Sequence, residues 1–182
     1  TVHPRVTNEI PQIIKMISDL VNRGAAYESY GSVYFRVSSF SGYGKLSRRD
    51  VTDLMEDPNL ANEVGKETPV DFALWKAAKP GEPAWISPWG KGRPGWHIEC
   101  SAMALHHLGE KIDIHGGGLD LVFPHHENEL AQTETALGIE PFASIWMHNG
   151  LLKRSGDQKM SKSLGNVIDV KPALEKNSPD AI

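Results

Sequence analysis

Cysteine is almost missing: Cys100 is the single one in 182 residues. One thiol excludes an internal disulfide framework and suits a reducing compartment, so a cytoplasmic location is expected. Long apolar runs are missing too. No stretch of about 18 apolar residues and no basic-then-apolar leader occurs, which argues against a membrane span or a secretion signal. Positive charge is not in excess: the net charge is −4 and the sequence pI about 6.0. That argues against a wrapped, strongly basic nucleic-acid binder, while a local basic patch stays open. Internal repeats and low-complexity tracts are absent. The chain opens on Thr1 and closes on "NSPDAI", which reads as a piece of something longer. What is present is ordinary globular composition, 40% hydrophobic and 23% charged, and it predicts a packed core.

Apolar spacing divides the chain into two textures. In "TNEIPQIIKMISDLVNRG", Ile10, Ile13, Ile14, Ile17, Leu20 and Val21 recur at helical period, with Thr7 or Asn8 as cap, Pro11 in the first turn and Gly24 at the stop. "SVYFRVSSF" alternates Val33, Phe35 and Val37 against polar neighbours, as a half-buried strand does. Ser47 precedes a short amphipathic stretch with Val51, Leu54 and Met55, and "DFALWKAA" is an apolar run of uncertain type. From Lys79 to Pro94 the Pro, Gly and Trp content predicts an irregular connector. The second half then alternates: a helix in "GWHIECSAMALHHLG" ending at Gly109, a strand in "KIDIHGGG", a helix opened by Pro124 and closed at Gly138, and a strand in "SIWMHNGLL". Strand, glycine turn, helix, strand is the rhythm of a parallel sheet with crossover helices. The first ninety residues lack it and read as an insertion.

Two clusters carry chemistry. If Pro124 lies in a first helical turn, His125 and Glu129 share one face four residues apart, as Trp96 and Cys100 do on the earlier helix. Cys, His and Glu together suit zinc, and three protein ligands would leave its fourth position open. Spacing alone does not decide this. C-x24-H-x3-E is no standard finger pattern, and a lone cysteine on an amphipathic helix is as readily a small buried hydrophobe. The second cluster is "KMSKS", Lys159 to Ser163, in a loop followed by Gly165. Two lysines with hydroxyl residues between them can wrap a polyphosphate, and a solvated surface loop has the same composition.

As words, these segments are specific. "KMSKS" resembles the signature loop of class I aminoacyl-tRNA synthetases. With "GRPGWHIECSAM", "DIHGGGLDLVFPHHENELAQ" and "WMHNG", in that order, the chain resembles the cysteinyl-tRNA synthetase family from about Arg5 to its last residue. The resemblance implies the second half of a Rossmann-like parallel-sheet catalytic domain with an inserted α+β connective segment. Residues 1–26 would be a helix from the end of the first Rossmann half, 27–93 the insertion, and 94–182 the second half with the lysine loop.

The resemblance also implies one zinc ion held by Cys100, His125, Glu129 and an upstream cysteine, with the substrate thiolate as a further ligand. Lys159 and Lys162 would be catalytic, and with Ser161 and Ser163 would hold ATP, which arrives with Mg2+. Trp96 would wall the cysteine pocket, Asp120 meet the substrate ammonium and His115 support the site. Cysteine, ATP and tRNA(Cys) are the implied partners, for a monomeric enzyme that forms cysteinyl-adenylate and transfers cysteine to tRNA. A plain pocket separates near-isosteres by only ~1–3 kcal/mol; a soft thiolate on zinc separates cysteine from serine by donor chemistry instead. The family's HIGH-like ATP motif, first zinc cysteine and anticodon-binding region have no match in this chain, so these residues alone are expected to be inactive. Two other readings remain: the mycothiol-pathway cysteine ligase, and a non-catalytic zinc-binding fragment or paralogue.

Overall fold

The computed structural model describes residues 1–56, 64–150, 160, 167 and 169–181. Residues 1–148 form one compact unit and residues 149–182 another. The first unit begins with helix α1 (Ile10–Asn22), which buries Ile10, Ile13, Met16, Ile17 and Leu20 on one stripe. The expected cap moves by one or two residues. Val6–Asn8 forms a 3-10 turn, so Glu9 becomes the N-cap and Pro11 still lies in the first turn.

A five-stranded antiparallel sheet follows, in the order β1 (Ala26–Ser29), β2 (Ser32–Phe35), β3 (Phe72–Ala77), β5 (Gly90–Pro94) and β4 (Trp85–Ser87). Tyr30 and Gly31, both at positive φ, make the two-residue turn between β1 and β2. Three sequence expectations change. Val37 leaves the strand for a 3-10 turn, Val37–Ser39. "DFALWKAA" resolves into the central strand β3, with Leu74 and Trp75 fully buried. The expected connector from Lys79 to Pro94 is instead largely the β4–β5 hairpin. Its glycines hid the strand because β5 needs them: a Cβ at Gly92 would lie 2.3 Å from the Lys76 carbonyl oxygen. A short helix, α2 (Val51–Met55), is capped by Asp50, whose carboxylate accepts from the Thr52 N–H at 2.7 Å.

Helices α3 (Trp96–Leu108) and α4 (Glu127–Leu137) close the core with α1 and the sheet, and Ile98, Ala102 and Ala131 join Ile13, Leu20, Phe35 and Trp75 in one apolar cluster. Strands β6 (Ile112–Gly118) and β7 (Ala143–Asn149) pair with each other. Ile112 N–H donates to the Phe142 carbonyl at 3.2 Å and Gly116 lies beside Met147, so the two run parallel with α4 in the crossover. The architecture is therefore mixed α/β, as the alternation in the second half predicted. In the second unit, α5 (Val170–Lys176) and a 3-10 turn (Pro179–Ala181) are described. Among the described residues no helix is long and apolar enough to cross a membrane.

Candidate functional site

Gly95 sets where α3 begins. Its N–H donates to the Leu74 carbonyl at 2.8 Å, and a Cβ there would lie 1.9 Å from the Ala73 carbonyl oxygen. Only glycine allows that approach, and it plants Trp96, His97 and Cys100 beside the sheet. From the other side the chain turns through Val122–His126, with Phe123 extended inside the turn, before α4 runs from Glu127. Pro124 therefore lies in an irregular turn ahead of the helix rather than in its first turn.

The α4 sequence is polar, yet every residue from His125 to Glu134 is buried. A loop of the first half satisfies it. Glu127 accepts from the Gly44 and Ser47 N–H groups at 2.9 and 2.7 Å, and Tyr43 Oη donates to Asn128 at 2.5 Å. Lys45 Nζ meets Glu134 at 2.6 Å, whose other oxygen accepts from the Phe142 N–H at 3.0 Å. Burial of Glu127, Asn128 and Glu134 is tolerated because each finds a partner, while Gln132 Oε1 and Thr133 Oγ1 are buried without a hydrogen bond.

Inside this frame Cys100, His125 and Glu129 each offer a donor atom within 4.8 Å of the others. His125 Nε2 lies 2.8 Å from Glu129 Oε1, one helical turn away. Glu129 Oε2 is buried with no hydrogen-bond partner, although His115 Nε2 approaches it at 3.3 Å. The Trp96 ring stacks on His125 at a centroid distance of 4.4 Å, and His97 Nδ1 is 2.9 Å from His125 Nδ1. With His125 Nε2–H turned to Glu129, His125 Nδ1 accepts from His97; a cation on Nε2 would require the other tautomer, with His125 Nδ1 donating. A second triad, His115, His126 and Glu129, converges from the β6 side. His126 Nδ1 is in turn 2.7 Å from His148 Nε2 on β7.

The electrostatics suit a cation. Burial first, then the charges of Glu129 and Glu99, push the Cys100 thiol up to about 12, so the thiolate needs a cation beside it. Burial raises the Glu129 carboxyl, but the His115 and His125 imidazoles more than reverse this and bring it down to about 2. Burial holds His97 and His126 down at about 4, the former helped by the charge of His125. Ionised carboxylate and neutral imidazole are the forms in which these groups ligate metals.

The structure thus brings together Cys100, His125 and Glu129, with Trp96 and His115 at their edge. Asp120 is not among them. It is exposed on a 3-10 turn, Leu119–Leu121, with Oδ1 over Gly118, where a Cβ would lie 2.4 Å from it. Lys159, Ser161, Lys162 and Ser163 lie outside the described residues. Sequence reasoning missed His97, His126 and His148. The doublet His125–His126 and the word "WMHNG" were the available signals, but a lone histidine does not announce its contacts.

The chain belongs to the class I tRNA synthetases, matching the family described as "tRNA synthetases class I (C) catalytic domain" over residues 1–182. More narrowly, it is 60% identical over 180 residues to a protein named cysteine–tRNA ligase from Dehalococcoides mccartyi strain 195, covering 99% of this chain and 39% of that one. A cysteine–tRNA ligase from Carboxydothermus hydrogenoformans is 61% identical over 176 residues, with 97% and 37% covered. One from Aquifex aeolicus is 59% identical over 181 residues, with 100% and 36% covered. The chain spans under two fifths of these relatives.

Proposed function

We propose that this chain is the central catalytic segment of an enzyme that activates cysteine with ATP to cysteinyl-adenylate and transfers it to tRNA(Cys). The observation that carries this reading is the convergence of Cys100, His125 and Glu129 about a buried carboxylate oxygen with no hydrogen-bond partner. That donor set fits zinc, with a further cysteine from outside the chain as fourth protein ligand. When bound, zinc supplies a soft Lewis acid that prefers a thiolate to a hydroxyl. Trp96, stacked on His125 and half open to solvent, forms the wall against which the substrate side chain lies. His115, 3.3 Å from Glu129 Oε2, supports the site, and Asp120 meets the substrate ammonium.

Lys162, with Lys159, would offset charge at the α-phosphate and the departing pyrophosphate, while Ser161 and Ser163 hold phosphate oxygens of ATP·Mg2+. Bound in this way, cysteine has its carboxylate free to attack, and orientation rather than proton transfer lowers the barrier. Residues 94–182 would be the second half of a Rossmann-like domain, 27–93 its connective insertion, and 1–26 the end of the first half. The whole enzyme is assigned as a cytoplasmic monomer.

Cysteine-dependent exchange of pyrophosphate into ATP tests the reading. The full-length enzyme should catalyse it, and Lys162→Ala should lower the rate by about 100-fold or more, the scale of losing one transition-state donor. Residues 1–182 alone should show none. An unchanged rate in Lys162→Ala would overturn the assignment of the lysine loop.

A further inference from the structure

A second donor cluster lies away from Cys100, where the start of α1 meets the end of α3. Glu9, the N-cap of α1, is only 6% exposed, and its carboxylate faces two imidazoles. His106 Nδ1 lies 2.7 Å from Oε2 and His107 Nε2 lies 2.9 Å from Oε1. Adjacent residues on a helix point about 100° apart, a consequence of 3.6 residues per turn. Here the rings converge because His106 uses its near nitrogen and His107 its far one, with centroids 4.6 Å apart.

One nitrogen of each ring and one carboxylate oxygen lie within 4.8 Å of one another. A cleft of about 280 Å³ adjoins the cluster at His106, and Gln12, in the first turn of α1, lines it too. Its amide oxygen is buried with no hydrogen-bond partner. The last turn of α3 adds the negative end of the helix dipole, which favours a cation there.

We propose that Glu9, His106 and His107 form a second binding site for a borderline divalent transition ion of the zinc type, with its fourth position open. Two imidazoles and a carboxylate are the donor set of three-ligand zinc sites, and the absence of thiolate separates this site from the one at Cys100. The ion replaces the two N–H···O contacts on Glu9 and ties α1 to α3, six residues from Cys100. Its role is a structural clasp between those helices, independent of the function proposed above.

Cobalt(II) alone, added to chelator-stripped residues 1–182, tests it. The N/O site should bind one equivalent with ligand-field bands but no thiolate-to-cobalt charge-transfer band, whether or not a Cys100 site also fills. In Cys100→Ser/His125→Ala that equivalent should remain, with a rise in Tm on adding cobalt; His106→Ala or His107→Ala should abolish both. The single variant His107→Ala in the otherwise intact chain should likewise lose one equivalent while leaving any charge-transfer band unchanged, so a fold defect in the double variant does not blunt the test. Circular dichroism of the metal-free variants reports whether the helices persist. Absence of cobalt binding without the charge-transfer band, or such binding that survives His107→Ala in a folded chain, overturns the proposal. A missing charge-transfer band alone would count only against the Cys100 site.

Discussion

His125 Nε2 and Glu129 Oε1 are 2.8 Å apart, one turn of the same polypeptide segment, while the other oxygen of Glu129 is buried without a hydrogen bond. A contact of this kind holds a carboxylate in place and leaves one oxygen unused, as the zinc reading proposed above requires. Glu129→Gln keeps the size and removes the charge. It should lower zinc affinity of the full-length enzyme by on the order of 10–100-fold or more, since even outer partners of a metal site cost that much. Competition with a chromophoric chelator measures it.

Acid should weaken the zinc-free fold in two windows. His97 and His126 have folded values of about 4, below the ordinary imidazole value of 6.5. The unfolded chain binds protons first, so their contribution is complete above about 6.5 and is lost as pH falls toward 4. Glu129, at about 2 against 4.5, contributes above 4.5 and loses that contribution as pH falls toward 2. Tm measured from pH 7 to pH 3 should therefore fall across both windows, and Glu129→Gln should flatten the lower one.

Gly95→Ala tests the seat of α3. A methyl group 1.9 Å from the Ala73 oxygen has to push helix and strand apart, a cost of ~1–3 kcal/mol in overpacking. Urea unfolding gives the loss of stability. A change in Trp96 fluorescence in the folded variant would show that the functional residues move with the helix.

Leu20 on α1 is fully buried in the common core. Leu20→Ala should cost ~2–5 kcal/mol through lost burial and the cavity left behind. Denaturant midpoint with an unchanged m-value is the expected form of the result.

Glu127 fastens the loop at Gly44 and Ser47 to the start of α4 by two charge-assisted hydrogen bonds. Glu127→Gln replaces one acceptor oxygen by a donor facing an N–H. It should destabilise by ~1.5–3 kcal/mol, the scale of a hydrogen bond to a charged group. Protection of the Gly44 amide from hydrogen exchange should drop by more than that of the sheet.

Where local chemistry suffices, the sequence alone was decisive. The stripe from Ile10 to Leu20 specified α1, Gly109 and Gly138 ended α3 and α4, and the i, i+4 spacing put His125 and Glu129 on one face. The same reasoning failed at β5, where glycine content masks a strand whose need for glycine comes from a neighbour far away in the chain. It is silent on the burial of α4, whose polar residues Glu127 and Asn128 find their partners on a loop some eighty residues earlier. Periodicity describes one element against an unspecified core. Only tertiary structure decides which distant donors meet, and so Cys100 beside His125, His126 beside His148, and Glu9 beside His106 and His107 came from packing alone.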